Sequence, residues 1–139
     1  MRLIDKIIIH CLATPEGKHF TVTDVRQWHT LPTSKGGRGW SDIGYHYVIY
    51  LDGSVHEGRP IERIGAHTLG QNKNSIGIAY VGGCAADGKT PKDTRTDAQK
   101  KALRELVVEL QQKHPNATIH GHNEFANKAC PSFNVKAEL

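Results

Sequence analysis

The spacing of apolar and polar positions changes several times along this chain, and each change marks an element. Lys6–Leu12 is an almost unbroken apolar run, Ile7-Ile8-Ile9, closed by His10 and Cys11, as expected of a buried strand. Thr21–Thr30 opens on a threonine with Asp24 three residues on, a helix-start signal, and Val22, Val25, Gln27 and Trp28 fit about three turns of helix. Leu31–Gly39, rich in Gly, Ser, Lys and Pro, reads as a loop. Tyr45–Leu51 is a β-rich run, Asp52-Gly53 a hairpin-turn pair, and Ser54–Glu57 the returning strand. Ser75–Val81 is a further strand, ended by a Gly82-Gly83 turn, and Cys84–Thr94 is a polar surface loop. Asp97–His114 is the clearest helix, with Leu103, Leu106, Val107 and Leu110 at helical spacing and Pro115-Asn116 stopping it. Ala117–His120 follows as a short strand. This order predicts an α/β fold: one domain over residues 1–139, with a central mixed β-sheet flanked by helices. Catalytic groups then belong at strand ends and in the loops beyond them.

Composition narrows the class. A chain of 139 residues, 37% apolar and 23% charged, buries a sizeable core as one domain. It has no apolar run long enough for a membrane span. Arg2, Asp5 and Lys6 stand where a signal peptide needs its apolar centre, so ordinary secretion is not expected. A protein made in the cytoplasm and acting on the outside would then need release or another export route. The net charge of +4 fits an anionic partner such as cell-wall polymer or nucleic acid, and equally a plain soluble protein. No single-sign run or nucleic-acid module appears, so nucleic acid is not the expected partner. The three cysteines, Cys11, Cys84 and Cys130, form no CxxC pair, and their odd number argues against a disulfide framework.

Candidate chemistry concentrates in His122-Asn123-Glu124-Phe125-Ala126-Asn127-Lys128-Ala129-Cys130-Pro131 and at His10. Two histidines and a cysteine make a three-ligand zinc set whose fourth position stays open, as a catalytic zinc requires. Each member has a plainer alternative. His10 can be a hydrogen-bonded structural histidine, Cys130 a buried free thiol or a nucleophile served by a nearby histidine, and Lys128 a surface charge. Tyr45 is either a proton or hydrogen-bond donor or a packed aromatic. Cys11 neighbours His10 on a strand, so it points to the opposite face and reads as a core residue. His120 and His122 are two apart and share a face if the segment is extended, so spacing alone does not choose between them. His114, at the end of the long helix, suits its negative dipole end. No Walker, GxGxxG, HExxH or zinc-finger pattern is present.

Several short pieces occur in a fixed order: Ile7-Ile8-Ile9-His10-Cys11, Arg26-Gln27-Trp28-His29, Gly39-Trp40-Ser41-Asp42-Ile43-Gly44-Tyr45-His46-Tyr47, Asp52-Gly53, Gly65-Ala66-His67, Asn74-Ser75-Ile76-Gly77-Ile78, Val81-Gly82-Gly83, Gly121-His122 and Lys128-Ala129-Cys130-Pro131-Ser132-Phe133. In this order the chain resembles the zinc-dependent N-acetylmuramoyl-L-alanine amidases, which include phage amidase-type lysozymes and are related to peptidoglycan recognition proteins. The resemblance implies one Zn2+ per chain on His10, His122 and Cys130, with His122 chosen because it lies eight residues before the cysteine. It further implies catalytic roles for Tyr45 and Lys128, substrate contacts at His67 and Asn74, peptidoglycan as partner, and action as a monomer. Lys128 sides with the phage-type members. The implied reaction is hydrolysis of the amide between N-acetylmuramic acid and L-alanine. Two other readings stay open: a peptidoglycan-binding module that does not cleave, disfavoured by the presence of Cys130, and a cysteine hydrolase, which would survive metal chelation.

Overall fold

The computed structural model describes residues 2–139. Its strands are β1 (Lys6–Cys11), β2 (Thr14–Pro15), β3 (Tyr47–Ile49), β4 (Val55–Glu57), β5 (Ser75–Tyr80), β6 (Gly83–Cys84) and β7 (Thr118–Gly121). The helices are α1 (Val22–Thr30), α2 (Asp97–Lys113) and α3 (Val135–Glu138). Five strands form one sheet in the order β4-β3-β5-β1-β7, with β4 antiparallel to β3 and the other neighbours parallel. The α/β fold and mixed sheet expected from the sequence are thus present.

Strand alternation divides the sheet into two faces. Ile7, Ile9 and Cys11 of β1 join Ile76, Ile78 and Tyr80 of β5 and Ile49 of β3 in one core, against Leu103, Leu106, Val107 and Leu110 of α2. On the other face Val48 packs with Val22 and Val25 of α1, Ile43 and Val81. His10 lies on this second face, where its β5 partner is Ala79 and where Ile8 faces Gly77. These two small residues leave space above the sheet for the side chains of the site.

Both long helices start as reciprocal capping boxes. Thr21 and Asp24 close the first turn of α1, and Thr96 and Gln99 that of α2. The inner stripe of α1 is Val22, Val25 and His29, whereas the Trp28 expected on it is exposed. At about 100° per residue, position 29 continues the stripe begun at 22 and 25, and position 28 falls off it. Gly82-Gly83 was expected to end a strand as a turn. Instead, φ values of 123° and 102° swing the chain aside, and Gly83 and Cys84 pair with Thr14 and Pro15. A Cβ on Gly83 would stand 2.4 Å from the Cys11 Sγ, so only glycine passes there. Near the C-terminus, Phe133 and Val135 enter the α2-side core, and the Arg95 guanidinium lies 3.5 Å from the Phe133 ring centre while bonding Asp93 and Glu138. That clamp holds the segment which carries Cys130.

Candidate active site

The site forms beyond the carboxyl ends of two adjacent parallel strands, where open α/β sheets place their ligands. The β1–β7 register pairs Ile9 with Gly121. One step further, His10 and His122 stand side by side, their ring centres 4.6 Å apart. The chain leaves β7 at Gly121 and enters a tight turn over His122–Glu124, so His120 and His122 do not act as an extended pair. His120 faces away from the cluster: Glu124 Oε1 lies 2.9 Å from its Nδ1 and Thr118 Oγ1 2.6 Å from its Nε2.

Cys130 arrives from the C-terminal loop. Its Sγ accepts the Cys11 N–H at 3.2 Å and lies 3.9 Å from His10 Nδ1. Pro131 is anchored by the Tyr80 hydroxyl, which donates to its carbonyl at 2.6 Å, and the Ser132 hydroxyl donates to the Gly83 carbonyl at 2.9 Å. One ligand atom from each of His10, His122 and Cys130 lies within 4.8 Å of the others. A tetrahedral zinc with bonds of about 2.0–2.3 Å needs its donors about 3.3–3.8 Å apart, so the three fit such an ion after shifts of an ångström or less.

The surroundings of His10 fix which nitrogen faces the cluster. Its Nε2 lies 2.9 Å from His67 Nδ1 and 3.2 Å from Thr68 Oγ1, and His67 Nε2 lies 3.3 Å from Ser75 Oγ. A metal ligand at His10 Nδ1 requires a free lone pair there, and the chain accommodates it. His10 Nε2–H donates to His67, His67 Nε2–H donates to Ser75, and the His10 Nδ1 lone pair is left toward Cys130. Metal-binding histidines are oriented in this manner through their second nitrogen. Asn72 holds the loop in place, its Oδ1 accepting the N–H groups of both His67 and Thr68 at 2.9 Å. Gly77 makes room for the ring, since a Cβ there would sit 2.5 Å from His67 Cγ and Cδ2.

Electrostatics favour neutral histidines. Burial first, then the neighbouring His67, His122 and Lys128, holds His10 well below the ordinary histidine range, and burial and Lys128 lower His122. Burial takes His67 down to about 3. The hydrogen bond shared with Cys11 and burial push the Cys130 thiol up, opposed by the Cys11 N–H and Lys128. Burial, with the cysteines beside it, raises the Tyr45 phenol, which therefore keeps its proton.

A cleft of about 590 Å³ opens over this cluster, and Tyr45, His67, His122 and Lys128 all line it. The Tyr45 ring centre is 5.2 Å from that of His10. Of the two substrate contacts expected from the sequence, His67 lines the cleft and Asn74 does not: it sits at the foot of β5, where its Nδ2 donates to the Leu3 carbonyl at 2.9 Å. Asn72 lines the cleft instead. His29, Arg38 and Trp40 also line it, and sequence reasoning had given them no role. The usable signal was His29, a histidine at the inner-stripe position of α1.

The family described as N-acetylmuramoyl-L-alanine amidase matches residues 1–133. The chain belongs to this family. Among its relatives, the endolysin of Escherichia phage T7 is 42% identical over 132 residues, covering 95% of this chain and 83% of that protein. Among solved structures, the N-acetylmuramoyl-L-alanine amidase LysC from Clostridium intestinale superposes with a TM-score of 0.77 at 27% identity, over 96% of this chain and 79% of that one. Drosophila PGRP-LB gives a TM-score of 0.79 at 26% identity, over 99% and 80%. This amidase therefore hydrolyses the N-acetylmuramoyl-L-alanine amide of peptidoglycan. The endolysin and amidase relatives make this chain an enzyme and set aside the binding module that does not cleave. Among the described residues no helix is long and apolar enough to cross a membrane.

Proposed function

We propose that this amidase is a zinc enzyme of cell-wall lysis or remodelling, with one zinc on His10, His122 and Cys130 and with Tyr45 and Lys128 acting on the reacting amide. The observation that carries the reading is the convergence of three ligand atoms, from β1, the turn after β7 and the C-terminal loop, to within 4.8 Å. When bound, zinc lowers the pKa of a water to about 7 and polarises a carbonyl. The chain's own residues supply the rest. His67 and Thr68 hold His10 with its Nδ1 toward Cys130, from where it would bind the metal. Hydrolysis adds water oxygen to the lactyl carbonyl carbon, breaks the C–N bond and must deliver a proton to the alanine nitrogen. Tyr45 remains a protonated donor at neutral pH, and Lys128 is an exposed cation on the same cleft; both suit the oxyanion and the departing amine. His67 meets substrate only through its ring edge, because both its nitrogens are engaged.

The test is zinc stoichiometry and product analysis on wild type and Cys130→Ser. Wild type should carry one zinc and release free stem peptides from purified walls, losing this on chelation. The serine variant should lose both metal and turnover. Equal zinc in the two proteins removes Cys130 from the site, and activity that survives chelation returns the reading to a cysteine hydrolase.

A further inference from the structure

The cleft holds a charged wall that the metal cluster, Tyr45 and Lys128 do not use. Among the described residues the cleft's cations are Arg38 and Lys128, and no aspartate or glutamate lines it. Arg38 is exposed and has no carboxylate partner among the described residues. It is nevertheless not a loose surface side chain. Its guanidinium carbon stands 5.0 Å from the Trp40 ring centre, within cation–π range. The loop beneath it is pinned by backbone bonds from Gly39 N to the Leu31 carbonyl (2.8 Å) and from Trp40 N to the His29 carbonyl (2.9 Å). Trp40 in turn packs on His29, ring centres 4.9 Å apart, and on Gly44, where a Cβ would come within 3.0 Å of the indole. The wall is thus tied to the residue just before Tyr45.

His29 adds a second donor. Its side chain is more than nine-tenths buried, and its Nδ1 accepts the Gly44 N–H at 2.9 Å. That bond leaves the proton on Nε2, which has no protein partner among the described residues while the ring lines the cleft. Burial first, then Arg38 and Arg59, takes this histidine down to about 4, so it serves as a neutral N–H donor beside a permanent cation.

We infer that Arg38, seated on Trp40 and seconded by His29 Nε2–H, is a specificity-determining residue that binds a carboxylate of the peptide stem beyond the L-alanine. The inference rests on the amidase reading above. A peptide stem carries at least its terminal carboxylate, and an arginine fork matches a carboxylate through two parallel hydrogen bonds. A cleft without carboxylates of its own draws such a chain in and fixes its direction, leaving the scissile amide over the metal cluster.

The experiment uses the zinc-loaded full chain and two synthetic muramoyl peptides, identical except that the stem carboxyl groups beyond alanine are free in one and carboxamides in the other. Wild type, Arg38→Ala and Arg38→Lys are compared for kcat and KM. Wild type should show a KM about 10–100-fold lower on the free-acid peptide, the range of a charge-assisted hydrogen-bonded pair. Arg38→Ala should lose that preference through KM, with kcat within about twofold, and Arg38→Lys should recover part of it. An Arg38→Ala enzyme that keeps the full preference, or that loses kcat equally on both peptides, overturns the assignment while leaving the amidase reading intact. A wild type that cleaves neither peptide overturns both.

Discussion

Gly77 sits in the middle of a buried strand, where glycine costs stability, and the site explains why it is there. Replacing it with alanine places a Cβ 2.5 Å from His67 Cγ and Cδ2. Ordinary contact begins near 3.4 Å, so the ring must move by about 1 Å. Its movement is constrained, because its nitrogens are held at His10 and Ser75 and His46 packs edge-on at 5.8 Å. A shift of that size takes His67 Nδ1 out of reach of His10 Nε2, now 2.9 Å away. Overpacking costs about 1–3 kcal/mol and the lost bond about 1 kcal/mol. Gly77→Ala should therefore lower the melting temperature of the metal-free protein by roughly 10 °C. It should also weaken zinc binding by about 10–100-fold, since His10 loses the group that orients it. Thermal melts by circular dichroism and zinc competition titrations read the two effects separately. A variant that melts with wild type and holds zinc as tightly refutes the claim that Gly77 exists for His67 and that His67 serves His10.

The metal-free protein should lose stability as pH falls. His29, His46 and His67 are buried neutral, at about 4, 4 and 3, so below the ordinary histidine value the unfolded chain binds protons that the folded one refuses. Their stabilisation is complete above about pH 6.5 and declines towards pH 4; between pH 7.5 and 5.5 the loss is roughly 4 kcal/mol for the three, and a denaturation free energy that stays flat over that window contradicts it. His122→Ala should fold without zinc while His120→Ala keeps it, as read by metal stoichiometry at saturating zinc; the reverse pattern puts the wrong histidine in the site. Tyr45→Phe and Lys128→Ala should bind zinc normally yet turn over peptidoglycan about 10²–10³-fold more slowly, and near-wild-type turnover in both would strip them of the assigned roles.

The sequence by itself determined what depends on near neighbours. The Ile7-Ile8-Ile9 run, the Thr21/Asp24 box and the leucine stripe of Asp97–His114 fix strand and helix through interactions within four residues, and β1, α1 and α2 appear where those patterns lie. The ordered family pieces carried the chemistry further and named the ligand set proposed above. Residue spacing alone could not say which of His120 and His122 stands beside His10, because that depends on β7 ending at Gly121 and the chain turning there. Nor could it see that His67 lies behind His10, that Asn72 replaces Asn74 at the cleft, or that Arg38 is propped on Trp40. Cys130 meets Cys11 across 119 residues of chain, and His10 meets His67 across 57. Contacts of that range follow from the β1–β5–β7 register and the path of the loops over the sheet, which no local pattern encodes. The orientation of His10 was decided by the tertiary structure for the same reason: a ring is set by what lies opposite each nitrogen, and opposite His10 stand His67, Thr68 and Cys130, all from distant parts of the chain.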